Sequence, residues 1–90
     1  MPILYGFAYS DTALKYLATS VPPKIRRQIK NKVESLASNA NPPGSKKLQG
    51  LMDGELPVFR VRAGDYRILY VVRGFIIVIL DIGHRKDVYR

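Results

Sequence analysis

Cationic side chains in the last 31 residues of the chain stand at spacings that suit the binding of phosphates. Arg60 and Arg62 stand two residues apart in the run FRVR, and Arg67 follows in GDYRILY. Side chains two residues apart project from the same face of a strand, and a tight hairpin brings Arg67 beside them on the next strand. Guanidinium groups gathered in this way can clamp phosphates through paired hydrogen bonds.

The ending IGHRKDVYR supplies further groups, namely His84, Arg85, Lys86 and Tyr89. We expect the segment after Gly83 to leave the last strand and to bring Arg85 and Tyr89 to the same edge as the arginines. A tyrosine ring can stack on a base of a single strand. The residue types together therefore favour a site for RNA.

Length and composition limit the chain to one small domain with a basic surface. Its 90 residues form a single domain spanning 1–90, and a hydrophobic content of 47% supplies a core. Lys and Arg number 15 against 7 Asp and Glu, and the net charge of +8 predicts a polyanionic partner.

Several classes of site are excluded by what the sequence lacks. It has no cysteine and one histidine, so an ordinary zinc site is excluded. Its acidic residues are scattered without pairing. It also lacks glycine-rich phosphate-binding motifs. We therefore expect no metal and no cofactor. No apolar run is long enough to cross a membrane, and the first residues lack a signal-peptide pattern, so we expect a cytoplasmic protein without a membrane partner.

The elements that must position these residues follow from hydrophobic periodicity. Alternation over residues 3–9 predicts a strand, and Ser10 can then cap a helix over 11–19. A second helix of about four turns follows Pro22, and the turn residues 39–44 end it.

Three strands are expected in the second half, over residues 57–62, 66–72 and 75–82, after a loop through 45–47. Their short connections predict antiparallel hairpins. The fold class is therefore α+β with the order β-α-α-β-β-β, a small mainly antiparallel sheet with two N-terminal helices packed on one face.

The same alternation separates core from surface positions. We expect Arg60 and Arg62 to share an exposed face. We also expect Tyr66 and Tyr70 to belong to the core. The remaining positions assigned to the core are Leu4, Leu14, Leu17, Ile25, Ile29, Val33, Leu36, Phe59, Val61, Ile77 and Ile79.

Four segments in a fixed order carry a resemblance to a known family: YGFAYSDTALKYLATS, KKLQG, VFRVRAGDYRILYVV and IGHRKDVYR. Over essentially its whole length the chain resembles the RelE/ParE superfamily of bacterial and archaeal toxins, and within it the RelE branch. The resemblance implies a toxin of a type II toxin–antitoxin system that enters the ribosomal A site and cuts translated mRNA. Such an endoribonuclease, or mRNA interferase, inhibits translation and cell growth. The resemblance implies a reaction that needs no metal, in which the 2′-hydroxyl attacks the adjacent phosphate.

The resemblance also implies roles for individual residues. Arg60 and Arg62 look like the family's basic pair, and Arg67 like its transition-state clamp. Arg85 resembles the residue that protonates the leaving group, and Tyr89 the tyrosine that orients or stacks the substrate nucleotide. The residues expected to contact nucleic acid are Lys24, Arg26, Arg27, Lys30, Lys46, Lys47 and Lys86.

One departure from the family leaves the general base open. The best-studied relatives carry lysines at the positions of Arg60 and Arg62, and an arginine hardly loses its proton. Either Arg62 only stabilises charge or another group accepts the proton. Histidine is the side chain that ordinarily titrates near neutral pH, so His84 is the other candidate.

The implied partners are a RelB-like antitoxin, the ribosome through its rRNA, and mRNA. The antitoxin is expected to be acidic and partly disordered when free, and the toxin–antitoxin complex is expected to bind its operator DNA through the antitoxin.

Other interpretations remain at this point. A ParE-like toxin on the same fold inhibits DNA gyrase without being an enzyme, although such chains generally lack the cationic clamp and the final aromatic residue. A plain RNA-binding module would need neither toxicity nor an antitoxin. The basic helix face, with Lys32 among its members, can be a solvated surface, and Arg67 can form an ion pair with Asp65 or Asp81.

Overall fold

The computed structural model describes residues 4–40 and 45–84, which form two helices and one five-stranded sheet. The elements in chain order are β1 (Gly6–Tyr9), α1 (Asp11–Ser20), α2 (Pro23–Ser35), β2 (Lys46–Asp53), β3 (Leu56–Ala63), β4 (Tyr66–Arg73) and β5 (Ile76–His84). The strand order across the sheet is β1-β5-β4-β3-β2. β1 pairs with β5 in parallel, and the other neighbours are antiparallel. The predicted α+β class is confirmed, and the sheet is mixed.

Ser10 starts α1 and fastens it to the middle of the sheet. Its Oγ accepts a hydrogen bond from the N–H of Ala13 at 3.0 Å, the capping bond expected from the sequence. The same hydroxyl donates to the carbonyl of Leu80 at 2.7 Å, and the N–H of Ser10 donates to the carbonyl of Ile79 at 2.9 Å. Both carbonyls belong to β5, so the first turn of the helix is fixed to a central strand.

The two helices cover one face of the sheet, as predicted. Ala13 and Leu17 of α1 and Ile29 and Val33 of α2 are buried in one cluster, each pair four residues apart on its helix. The sheet contributes to this cluster through residues that alternate along each strand, except where β5 has an extra residue between Ile79 and Ile82. These residues are Val61, Ala63, Ile68, Tyr70, Ile77, Ile79 and Ile82.

Three hairpins join the last four strands through loops of two residues. Each loop begins with a glycine at positive φ, namely Gly54, Gly64 and Gly74, and the residue after it is not at positive φ. Positive φ at the first loop position alone suits a type II′ turn, and glycine adopts it without strain. The two hairpins expected from the sequence are confirmed, and a third precedes them.

That additional hairpin corrects the predicted loop over 45–47. Lys46 and Lys47 belong to β2, which pairs with β3 at the edge of the sheet. β2 escaped detection because its exposed and half-buried residues do not alternate, and its register shifts between Lys47 and Met52.

Two predicted core residues are at the surface. Leu4 is 67% exposed and precedes β1, and Leu14 is 50% exposed on α1. One helical step rotates a side chain by about 100°, which turns Leu14 away from the stripe that Ala13 and Leu17 bury. The other predicted core positions are buried or half-buried, with Tyr70 fully enclosed.

Replacing Tyr70 with phenylalanine tests a buried polar contact of this core. The Tyr70 hydroxyl donates to the carbonyl of Ala40 at 2.6 Å, and losing it should lower the free energy of unfolding by about 1–2 kcal/mol at pH 7. Burial raises the pKa of Tyr70, against a smaller lowering by a hydrogen bond with Ser45. The unfolded chain therefore loses this proton first, so stability falls as the pH rises through about 10, and Tyr70→Phe should make that fall shallower.

Urea denaturation at pH 7 and pH 10.5 measures both effects, with Tyr5→Phe as the half-buried control. Equal stability of Tyr70→Phe and the parent protein at pH 7 would contradict the proposed contact.

Candidate nucleic-acid interface

The strand register places the predicted arginines on the sheet face opposite to the helices. Arg62 lies directly across from Arg67, and Lys46 lies directly across from Arg60. Directly opposed residues project to the same face, and these positions alternate with core residues such as Val61 and Ile68. The side chains of four cations therefore share one end of the outer face.

A first cleft lies at the edge of β3, and we call it the edge cleft. It has a volume of about 350 Å³ and is lined by Lys32, Lys46, Arg60, Val61 and Arg62. Lys32 comes from the last turn of α2 and Lys46 begins β2, so three elements meet here. The described residues that line the edge cleft include four cations and no acid.

A second cleft lies beside the turn between β3 and β4, and we call it the turn cleft. It has a volume of about 230 Å³ and is lined by Arg62, Gly64, Asp65 and Arg67. Arg62 lines both clefts, so the two adjoin along β3. The turn cleft differs from its neighbour in holding a carboxylate, that of Asp65.

Arg60 is buried, which corrects the expectation that it shares an exposed face with Arg62. Arg60 is 9% exposed, whereas Arg62 is exposed as predicted. The physical reason is β2, whose pairing makes β3 an interior strand and puts Lys46 across from Arg60. The Nε of Arg60 is buried and has no hydrogen-bond partner among residues 4–40 and 45–84. A buried donor without a partner is costly, so this one calls for an explanation, and an anion in the edge cleft would provide it.

His84 lies on the opposite face from the arginines. It stands across from Tyr66 in the register, and their rings meet edge to face with centroids 5.6 Å apart. Its backbone N–H donates to Tyr16 Oη at 3.2 Å, and Tyr16 also contacts Tyr66, with ring centroids 6.5 Å apart. His84 therefore packs under α1, and Arg67 faces the other way, across from Gly83.

A register shift in β5 decides the face on which His84 lies. Leu69 pairs with Asp81 and Tyr70 with Ile79, so Leu80 is an extra residue in this strand. Strict alternation from Ile77 and Ile79 would put His84 on the arginine face. The shift reverses this, and the assignment of His84 as proton acceptor stays a prediction that its position does not favour.

The predicted basic face of α2 is apart from both clefts except at Lys32. Lys24, Arg27 and Lys30 are exposed, and Arg26 Nε donates to the carbonyl of Val21 at 3.1 Å. Lys47 stands across from Phe59 and projects to the other face from Lys46. The predicted residues Arg85, Lys86 and Tyr89 lie outside the described residues.

Two lining residues were not assigned to the site by sequence. Lys32 was grouped with the basic helix face, and only the packing of α2 against β3 brings it beside Arg60. Asp65 follows Gly64 in the turn between β3 and β4. The predicted hairpin is therefore enough to place Asp65 close to Arg67.

Neither a metal site nor a membrane span is found in the part of the chain that the structure describes. No three His, Cys, Asp or Glu residues there are grouped so as to hold a metal ion. None of the described helices has the length and apolarity needed to cross a bilayer.

A family model described as the ParE toxin of the type II toxin-antitoxin system parDE matches residues 9–89. The chain belongs to this toxin family. No match was found among curated protein sequences.

Three of the solved structures similar to this ParE-family toxin are RelE–RelB complexes. That of the archaeal complex from Pyrococcus horikoshii has a TM-score of 0.77 and 27% identity, covering 96% of this chain and 100% of the other. That of RelBE2 from Mycobacterium tuberculosis has a TM-score of 0.75 and 27% identity, covering 92% and 100%. That of RelB–RelE from Methanococcus jannaschii has a TM-score of 0.68 and 29% identity, covering 90% and 93%. The resemblance to the RelE/ParE superfamily is confirmed, and the protein is a type II toxin on this fold.

The burial of Arg60 predicts a trade between stability and anion binding. Arg60→Met replaces a buried charge by an apolar side chain, so it should raise the free energy of unfolding by about 1 kcal/mol while weakening the binding of anions in the edge cleft. The exposed neighbour serves as the control, because Arg62→Met should alter stability by less than about 0.5 kcal/mol. Thermal unfolding of the three proteins measures the difference, and a loss of stability in Arg60→Met would contradict it.

Proposed function

We propose that this toxin is a ribosome-dependent endoribonuclease that cuts translated mRNA in the ribosomal A site. The observation that carries the proposal is the pair Arg62 and Arg67, which stand opposite each other on β3 and β4 and line one cleft. Two guanidinium groups on one small cleft suit the charge of a phosphoryl group under attack. The similar RelE chains add support through fold and identity.

The proposed reaction is an internal displacement at phosphorus. The 2′-oxygen forms a bond to the adjacent phosphate, the bond to the 5′-oxygen breaks, and a 2′,3′-cyclic phosphate and a 5′-hydroxyl result. Arg62 and Arg67 stabilise the charge on the phosphoryl oxygens. By resemblance, Arg85 protonates the 5′-oxygen and Tyr89 stacks on the substrate nucleotide, with Arg60 supporting from the edge cleft.

The proton of the 2′-hydroxyl needs an acceptor on the arginine face. An arginine side chain is a poor proton acceptor, and His84 lies across the sheet against Tyr66. The turn cleft itself contains the carboxylate of Asp65. We assign the acceptor role to Asp65, with His84 as the alternative.

A basic surface also suits the other proposed partners. The net charge of +8 attracts rRNA phosphates, with Lys24, Arg27 and Lys30 exposed on α2 for docking. A RelB-like antitoxin is proposed because the similar structures are toxin–antitoxin complexes, and an acidic antitoxin matches this charge. The complex would act in the cytoplasm and bind its operator through the antitoxin.

A second candidate function is inhibition of DNA gyrase, which the match to the ParE family model favours. Brief expression followed by mapping of transcript ends separates the two. Breaks within translated codons support the ribonuclease, whereas DNA damage with intact messages supports gyrase inhibition. Intact messages and intact DNA would contradict both.

Arg67 and Arg73 form a matched pair for testing the clamp. Both lie on the outer face of β4, but Arg73 is at the far end of the strand, 3.5 Å from the carboxylate of Asp53. Arg67→Gln should slow single-turnover cleavage on ribosomes by about 10²-fold to 10³-fold, because one charge-stabilising donor is lost. Arg73→Gln should cut at the parent rate.

The same assay tests the residues that follow β5. Deleting 85–90 removes Arg85 and Tyr89 but none of the described strands, so cleavage should cease while antitoxin binding persists.

In the comparison of Arg67 with Arg73, equal cleavage rates for Arg67→Gln and Arg73→Gln would contradict the role of Arg67 as a clamp.

The acceptor is tested by comparing Asp65→Asn with His84→Ala. Asparagine keeps the shape of Asp65 but accepts no proton, so cleavage should slow by about 10²-fold to 10⁴-fold. His84→Ala should weaken the packing against Tyr66 yet keep the pH profile of cleavage. Rates are measured on saturated ribosomes from pH 5.5 to 8.5. Loss of the acidic limb in His84→Ala alone would return the role to His84.

A further inference from the structure

We infer that the edge cleft is a second phosphate subsite, which holds a phosphate of the RNA strand next to the one that is cut. The inference rests on the proposed function for the identity of the strand, but the site itself rests on the cleft. In this subsite, Lys32 and Lys46 bind a phosphate of the substrate that neighbours the scissile one.

The two adjoining clefts differ in charge, which suits one to binding a phosphate and the other to cleavage. The edge cleft is lined by Lys32, Lys46, Arg60 and Arg62, without an acid among its described residues. The turn cleft has two arginines together with the Asp65 carboxylate. A cleft lined by cations alone can hold an anion, whereas the turn cleft combines two cations with a residue whose carboxylate can accept a proton.

Arg60 supplies an independent indication of a ligand. It is nine-tenths buried, it lines the edge cleft, and its Nε lacks a hydrogen-bond partner within the described part of the chain. A guanidinium buried beside two lysines and another arginine is unfavourable unless an anion joins them. A phosphate diester brings one negative charge shared by two oxygens, which can accept hydrogen bonds from several of these cations.

The spacing of the clefts suits neighbouring phosphates of one strand. Arg62 borders both clefts, and Arg60 lies two residues along β3 on the same face, a step of about 7 Å. A strand whose scissile phosphate lies between Arg62 and Arg67 therefore continues over Arg60 toward Lys32. Lysine ammonium groups contact phosphates as point charges and make no contact with the bases. This subsite should therefore bind RNA of any sequence.

The test measures binding of oligonucleotides that cannot be cut. 2′-O-methyl dinucleotides have one phosphate and trinucleotides have two, and fluorescence anisotropy gives the affinity of the purified chain for each. The parent protein should bind the trinucleotide more tightly. Lys32→Gln and Lys46→Gln should each weaken trinucleotide binding by about three-fold to ten-fold and lower the slope of log affinity against log salt by about 0.7. Their affinity for the dinucleotide should fall less, because its single phosphate can also lie in the turn cleft.

Lys15→Gln is the matched control, because Lys15 is exposed on α1 and lines neither cleft. A loss as large in Lys15→Gln as in Lys32→Gln would show diffuse attraction by net charge and overturn the subsite. Failure of the trinucleotide to bind, or equal affinity for both lengths, would also overturn it. Binding is measured separately from cleavage. Preference for the trinucleotide together with intact transcripts in the mapping experiment would therefore contradict the proposed function but support the subsite.

Discussion

The opposition of Arg62 and Arg67 across one ladder is the constraint on which the site depends. Like charges directly opposed on a sheet repel, so the pairing is unfavourable by itself. The turn through Gly64 and the core residues on the other face hold the register nonetheless. A slip of one residue would turn the Arg67 side chain into the core and abolish the clamp. Packing on the helix-covered face therefore keeps Arg62 and Arg67 opposed despite their mutual repulsion.

The two faces of the sheet differ, because one carries the main core and the other carries the proposed site. α1 and α2 cover one face, and the other has a smaller apolar cluster around Val58, Leu69 and Val71. Beside that cluster, at one end, the outer face becomes cationic at Arg60, Arg62 and Arg67. Anion binding relieves the repulsion there, so RNA and an acidic partner would each stabilise the same end of the sheet.

Local pattern predicted the parts of the site that depend on one strand or one turn. The shared face of Arg60 and Arg62 follows from alternation, and the position of Arg67 follows from a two-residue loop. The burial of Arg60 did not follow, because it is caused by β2, whose residues show no alternation. The face of His84 did not follow either, since one extra residue at Leu80 reverses it. Contributions that depend on a bulge or on packing between distant segments, such as that of Lys32, are invisible to periodicity.

The bonds from Ser10 to the carbonyls of Ile79 and Leu80 connect the start of the chain with its last described strand. β5 lies between β1 and β4, so the sheet is interrupted until residues 76–84 are present. During synthesis, the helices and the first hairpins leave the ribosome before the strand that joins them to β1. Contacts so distant in sequence form late. We therefore expect the sheet to close, and the apolar faces of the helices to be fully covered, only when residues 76–84 are free to pair with β1 and β4.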